Sequence, residues 1–253
     1  MSKLNNLKLN ILKAKRTIRP RMNKAEYNAY LDWKKANDNV LIIGDTHSPF
    51  TKDGYLNHCK RIRDKYKCET IVFIGDLIDM HYSSYHEVDQ DGHSAAEELR
   101  LAKLQIAEFY KEFPASKGCL GNHDLLSARR AFSAGLSKSW VKPISEVLDT
   151  PNWEYAEEFT INGVLYTHGT GRKARQRCMQ EFTSVVQGHY HSESYIEYYA
   201  NADKLMFAMQ VGCGVDRKAY AMAYGKNFKK PQLNCGVVLE GGRYGVIEPM
   251  ILK

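Results

Sequence analysis

The sequence predicts an α/β domain in which parallel strands alternate with helices, and three observations carry that expectation. Short β-branched and apolar runs end in Gly-Asp or lead to Gly-Asn. Amphipathic segments at helical spacing separate these runs. No Pro/Gly/Ser-rich linker divides the chain, so its 253 residues read as one large domain, 37–253, behind a basic N-terminal extension, 1–36.

Asn39 to Ile43 is a buried-strand pattern ending at Gly44-Asp45. Residues 53–67 place Leu56, Cys59, Ile62 and Tyr66 at helical spacing. Glu69 to Ile74 repeats the strand pattern and ends at Gly75-Asp76. Ser94 and Glu97 form a capping box ahead of a helix striped by Leu99, Ala102, Ile106, Phe109 and Phe113, which Pro114 stops. Lys117 to Leu120 is a short run leading to Gly121-Asn122-His123-Asp124. Beyond it the texture changes to strands with short connections. Phe159 to Thr167, Val185 to Gln187, Ser194 to Tyr199, Leu205 to Val211 and Gly236 to Glu240 read as strands, with a Gly241-Gly242 turn leading to Tyr244–Ile247.

The 43% apolar content fits a globular chain. No apolar run approaches the ~20 residues that span a bilayer, and Met1 to Asn10 lacks the apolar core of a signal peptide, so a cytoplasmic, non-membrane protein is expected. The six cysteines form no CxxC pair and are expected as buried free thiols. Net charge is +7, but residues 1–35 hold ten Lys/Arg against two acids, which is +8 and leaves −1 for the rest. Such an arm can touch nucleic acid, and a solvated tail has the same composition. Ala25 to Lys35 reads as a short helix with Tyr27, Tyr30 and Leu31 on one stripe. Nothing in the sequence sets the oligomeric state.

Five strand-end loops then present, in order, Asp45 and His47; Asp76 and Asp79; Asn122 and His123; His168; His189 and His191. Each loop alone is weak, because a lone His or a Gly-Asp turn is common. Five together bring carboxylate, imidazole and amide ligands to the carboxyl ends of strands, where α/β sheets bind ligands. That donor set suits Mn²⁺, with Fe, Zn²⁺ or Ni²⁺ as alternatives, rather than Ca²⁺ or a thiolate site. Two cations about 3.5–4 Å apart need a shared anionic ligand, and Asp76 at a strand end can supply it. A His not bound to metal is left to protonate a leaving oxygen.

The order Gly44-Asp45-Thr46-His47, Gly75-Asp76-Leu77-Ile78-Asp79, Gly121-Asn122-His123-Asp124, Thr167-His168-Gly169, Gly188-His189-Tyr190-His191 resembles the calcineurin-like metallophosphoesterase superfamily. The resemblance implies a four-layer αββα sandwich of two facing mixed sheets flanked by helices. It implies two divalent metal ions, the first held by Asp45, His47, Asp76 and His191, the second by Asp76, Asn122, His168 and His189. It also implies His123 as general acid, Asp79 as the carboxylate orienting it, and attack on a phosphate-ester substrate by a metal-bridging hydroxide.

Departures from the family narrow the expectation. The Gly-Asp-x-x-Asp motif continues with Met80-His81, where the phosphoprotein phosphatase branch has Arg-Gly. A phosphodiesterase acting on nucleotide or nucleic-acid esters is therefore expected, ahead of a phosphomonoesterase or Ser/Thr phosphoprotein phosphatase; a non-catalytic scaffold of the same fold is a further alternative. Tyr82 and Tyr85 in the 80–93 loop could stack on a base, and Arg172, in the basic run Gly171–Arg177, is the candidate substrate contact.

Overall fold

A computed structural model describes residues 23–25, 27–28, 39–85, 88–202, 204–219 and 230–251. Most of the basic extension, most of the helix expected over Ala25–Lys35, the boundary expected after residue 36 and His86 lie outside the described residues.

The first half alternates as its periodicity predicts. Strand β1 (Asn39–Ile43) leads to helix α1 (Tyr55–Tyr66), then β2 (Cys68–Phe73), helix α2 (Ala95–Glu112) and β3 (Lys117–Cys119). Helices α3 (Leu126–Ser133) and α4 (Ile144–Val147) precede β4 (Glu154–Ala156). The strand expected over Phe159–Thr167 is instead two, β5 (Glu158–Ile161) and β6 (Val164–Thr167), paired antiparallel. Asn162 and Gly163 both adopt positive φ between them, the backbone a two-residue hairpin needs. Helix α5 (Ala174–Glu181) and strands β7 (Ser184–Gln187), β8 (Tyr195–Ala200), β9 (Leu205–Gln210), β10 (Asn234–Leu239) and β11 (Tyr244–Pro249) follow, and short 3-10 turns lie at His81–Ser83 and Lys138–Trp140.

The strands form two mixed sheets, ordered β11-β10-β1-β2-β3-β4 and β5-β6-β7-β9-β8. In the first, β1 to β4 run parallel and β10 and β11 add antiparallel. In the second, β6, β7 and β9 run parallel between two antiparallel edges.

Side-chain alternation sorts the core into layers. Leu41, Ile43, Ile71 and Phe73 pack with Ile106 and Phe109 of α2 on the helix side of the first sheet. Val40, Ile42, Val72 and Ile74 pack with Val164, Tyr166, Val186 and Phe207 of the second sheet. Leu165, Val185 and Ala208 face Ala174 and Cys178 of α5. Helices, sheet, sheet, helix is the expected four-layer order. All six cysteines are buried and free. No helix among the described residues is long and apolar enough to cross a membrane.

Helix α2 departs from its predicted stripe. Ser94 Oγ accepts the Glu97 N–H as expected, but the Glu97 carboxylate grips Arg100 and leaves the capping box half made. Leu99 is 38% exposed while Glu98 beside it is 4% exposed. The helix therefore turns a carboxylate inward at the position next to the predicted apolar one.

Candidate metal centre

Each candidate ligand sits just past the carboxyl end of a parallel strand: β1, β2 and β3 of the first sheet, β6 and β7 of the second. Tight turns aim them. His47 (φ 44), Asp76 (φ 48) and His189 (φ 71) all adopt left-handed backbone, a region that Asp and His tolerate better than most residues but at some strain. The turns are tied to one another. The His47 N–H donates to Asp76 O at 2.9 Å, and Ser48 N–H to Leu77 O at 2.8 Å. The Gly188 turn approaches so closely that a Cβ there would lie 2.4 Å from Asp45 Oδ1.

Two ligand groups result, sharing Asp76. Asp45, His47, Asp76 and His191 offer ligand atoms all within 4.8 Å of one another, as do Asp76, His168 and His189. Asn122 joins the second group, its Oδ1 3.1 Å from His168 Nε2. One oxygen, Asp76 Oδ2, lies 3.5 Å from His47 Nε2 and 3.1 Å from His168 Nε2. The other, Oδ1, accepts the His123 N–H at 2.9 Å.

The remaining contacts choose which atoms face inward. His168 Nδ1–H donates to Ile74 O at 3.2 Å, leaving Nε2 for the cluster. Asp45 Oδ2 accepts the His189 N–H at 2.9 Å and lies 3.1 Å from His191 Nε2. Asp45 Oδ1 is buried with no hydrogen-bond partner. A buried, orphaned carboxylate oxygen beside converging imidazole nitrogens fits a divalent cation, because without a counter-charge its burial is costly. The residues present thus fit the two-cation expectation.

Asp79 departs from its expected role. Its carboxylate takes His47 Nδ1, at 2.6 Å, and lies 3.9 Å from His123 Nδ1. The Asp79 backbone carbonyl, instead, accepts from His123 Nδ1–H. Asp79 thus orients His123 through its main chain, and its side chain fixes the His47 ring. Asp79→Asn is expected to weaken cation binding by about 10–100-fold. Titration of Mn²⁺ into both proteins checks this, and equal affinity would contradict it.

Asp124 closes the Gly121-Asn122-His123-Asp124 turn. Its Oδ1 accepts the N–H groups of Leu77 (2.9 Å) and Ile78 (3.3 Å), and its Oδ2 that of Gly121 (2.9 Å). It therefore pins the β2 and β3 loops together. The available signal was an Asp at a strand-end turn, a residue suited to collecting backbone donors.

Burial and neighbouring charge compete at His47, His168, Asp76 and His123. Burial pulls the His47 ring down, but hydrogen bonds and charge from Asp76 and Asp79 hold it well above its ordinary value. Burial is likewise outweighed at His168, where Asp76 and Asp45 raise it to about 9. Burial raises Asp76, yet His168 and His123 hold it well below the usual carboxylate range. Burial and the charge of His47 lower His123.

A raised His168 stabilises the metal-free fold fully below its ordinary value near 6.5, and that contribution is lost as pH rises through about 9. Cations must displace the same protons, so Mn²⁺ affinity is expected to rise between pH 6 and 9 with about one to two protons released per chain. Calorimetry in buffers of different ionisation enthalpy checks this; affinity flat across that range would contradict it.

The substrate-side expectations are met unevenly. Arg172, two residues ahead of α5, donates from Nη1 to Gln180 Oε1 of that helix at 2.8 Å. Arg175 pairs with Glu197 and Arg177 with Glu158, so these charges of the basic run are engaged. Tyr82 and Tyr85 are both exposed, and one face of the Tyr85 ring carries the Arg130 guanidinium at 4.0 Å. His81 Nε2 accepts the Asp89 N–H at 3.0 Å, a structural role.

Among solved structures, the chain is similar to vacuolar protein sorting 29 from Cryptosporidium parvum (13% identity, covering 84% of this chain and 97% of that one, TM-score 0.41). It is also similar to YfcE, a phosphoesterase from E. coli (9%, 83% and 98%, TM-score 0.39), and to the nuclease MPE of Pseudomonas putida (13%, 83% and 87%, TM-score 0.37). At these values the likenesses carry no weight for function. No curated protein matches the chain. The family pattern described as Metallophos, calcineurin-like phosphoesterase, matches residues 39–217, which include every candidate metal ligand. The chain belongs to the calcineurin-like phosphoesterase family.

Proposed function

We propose that the protein is a phosphodiesterase that holds two divalent cations and hydrolyses nucleotide or nucleic-acid phosphate esters. The observation that carries this reading is Asp76 Oδ2, placed within 3.5 Å of an imidazole nitrogen from each ligand group. Asp45, His47, Asp76 and His191 would hold one cation, and Asp76, Asn122, His168 and His189 the other. Mn²⁺ is the first choice on donor chemistry, since carboxylate, imidazole and amide oxygen make a hard-to-borderline set. Two bound cations would neutralise phosphate charge and supply a water acidic enough to attack near neutral pH.

The side chains divide the remaining work. His123 donates from Nδ1 to the Asp79 carbonyl, which fixes its ring and leaves Nε2 to carry a proton to the departing oxygen. Its N–H holds Asp76 Oδ1, so acid and bridge are positioned by one residue. Met80 replaces the arginine that the protein phosphatase branch carries after its second Asp, which favours diesters over phosphoproteins. The basic segment 1–36 would recruit a polyanionic substrate rather than act in the chemistry.

The test is Mn²⁺-dependent hydrolysis of bis-p-nitrophenyl phosphate against p-nitrophenyl phosphate. The expected result is faster turnover of the diester, retained when residues 1–36 are deleted. Faster turnover of the monoester would move the assignment to a phosphomonoesterase, and absence of metal-dependent turnover on both would remove the catalytic reading.

A further inference from the structure

Directly after the His123-Asp124 turn, the stretch from Leu125 to Ser145 holds four cations, Arg129, Arg130, Lys138 and Lys142, and no acid. It forms α3 and the 3-10 turn Lys138–Trp140, which pack against each other. The Leu126 N–H donates to His123 O at 3.0 Å, so α3 starts beside the proposed acid. Lys142 pairs with Glu146. The other three cations meet no carboxylate among the described residues. Arg130 donates to the carbonyls of Ser83, at 2.9 Å, and Ser84, which leaves its charge unbalanced.

Bare aromatic rings stand among these charges. Trp140 is 82% exposed and Phe132 74% exposed. Single exposed apolar residues are ordinary, but a group of them marks a binding surface. Arg129 and Phe132 are three residues apart in α3 and so share a face. Arg129 and Arg130 both lie over the exposed Tyr85 ring, at 5.1 and 4.0 Å, which adds a third ring to the same surface.

Unbalanced cations attract a polyanion, and bare rings attract flat apolar groups. A single-stranded nucleic acid carries both in alternation, as phosphates and unpaired bases. A duplex keeps its bases stacked and offers only the charge. An anionic membrane suits an apolar stripe along one helix, whereas Phe132 and Trp140 stand on separate elements with Lys138 between them in the chain.

We propose that the surface of Tyr85, Arg129, Arg130, Phe132, Lys138 and Trp140 binds single-stranded nucleic acid, stacking bases on the rings and holding phosphates with the cations. The proposal deepens the phosphodiesterase reading and rests on it for the fate of the strand, though not for the binding.

The test is fluorescence anisotropy of a labelled oligo-thymidine strand of about 12 nucleotides, titrated with the full chain in EDTA so that no turnover occurs. A duplex of equal length and phosphatidylserine vesicles are the comparisons. Trp140→Ala combined with Phe132→Ala is expected to weaken strand binding by about 25-fold or more and to leave duplex binding unchanged. Both side chains are exposed, so the variant is expected to fold. The basic segment 1–36 would contact the phosphates of strand and duplex alike, so it does not mask that difference. Arg129→Ala combined with Lys138→Ala should flatten the slope of log affinity against log salt by about 1.4. Strand affinity unchanged in the ring variant, duplex affinity falling as far as that of the strand, an unchanged salt slope, or ring-dependent binding of the vesicles in place of the strand would each overturn the proposal. The ring variant should also keep wild-type hydrolysis of bis-p-nitrophenyl phosphate with Mn²⁺. Ring-dependent strand binding without that hydrolysis in the wild type removes the phosphodiesterase reading alone; hydrolysis with ring-independent strand binding removes this proposal alone.

Discussion

Asp76→Asn is expected to lower metal-dependent diester hydrolysis by about 10³-fold or more. The substitution keeps the shape of the side chain and removes its charge. Two ligand groups then lose the one anionic oxygen between them, Oδ2, which lies 3.5 Å from His47 Nε2 and 3.1 Å from His168 Nε2. His168 loses its principal acidic neighbour as well, and the force that raises it to about 9 weakens. Metal content should fall with activity. Rate assays at saturating Mn²⁺ beside metal analysis check both, and wild-type turnover in the variant would remove the bridging role of Asp76.

Gly121→Ala has the second-largest expected effect, and it acts without touching a ligand. A Cβ at Gly121 would lie 2.1 Å from Asp76 Oδ1 and 2.4 Å from the Asp76 backbone nitrogen. The Asp76 loop has little room to retreat. Its carbonyl holds the His47 N–H, and the next two N–H groups are held by Asp124. Overpacking of this kind costs about 1–3 kcal/mol, or about 2–12 °C in Tm for a chain of this size. Because the displaced atom belongs to the shared carboxylate, cation binding at the second group should fall by more than stability does. Thermal denaturation with and without Mn²⁺ separates the two. The expected result is a modest loss without metal and a larger loss of metal-induced stabilisation.

The site was more legible in the sequence than the fold around it. Asp45, His47, Asp76, Asn122, His168, His189 and His191 are of ligand types and each follows an apolar run, so type and position agreed. The first half of the fold was legible for the same reason, since the periods of β1, α1, β2 and α2 are strong. The rest turned on single residues whose contacts are long-range. The Asn162-Gly163 hairpin was absorbed into one apolar run because both flanking strands are short. Glu98 was passed over because nothing local says that a carboxylate will face inward to meet the His81 N–H. The pairing of Asp79 with His47 rather than His123 spans 32 residues and depends on the left-handed turn at His47. Arg172 read as an anion contact because its neighbours are basic, but Glu158, Glu197 and Gln180 meet that run from elsewhere in the chain or later in the helix.

The most direct test of the central claim is anomalous diffraction from crystals of the protein grown in Mn²⁺. Two peaks are predicted about 3.5–4 Å apart, with Asp76 Oδ2 between them, Asp45, His47 and His191 around one, and Asn122, His168 and His189 around the other. A single peak, or two peaks that do not share Asp76, would contradict the account.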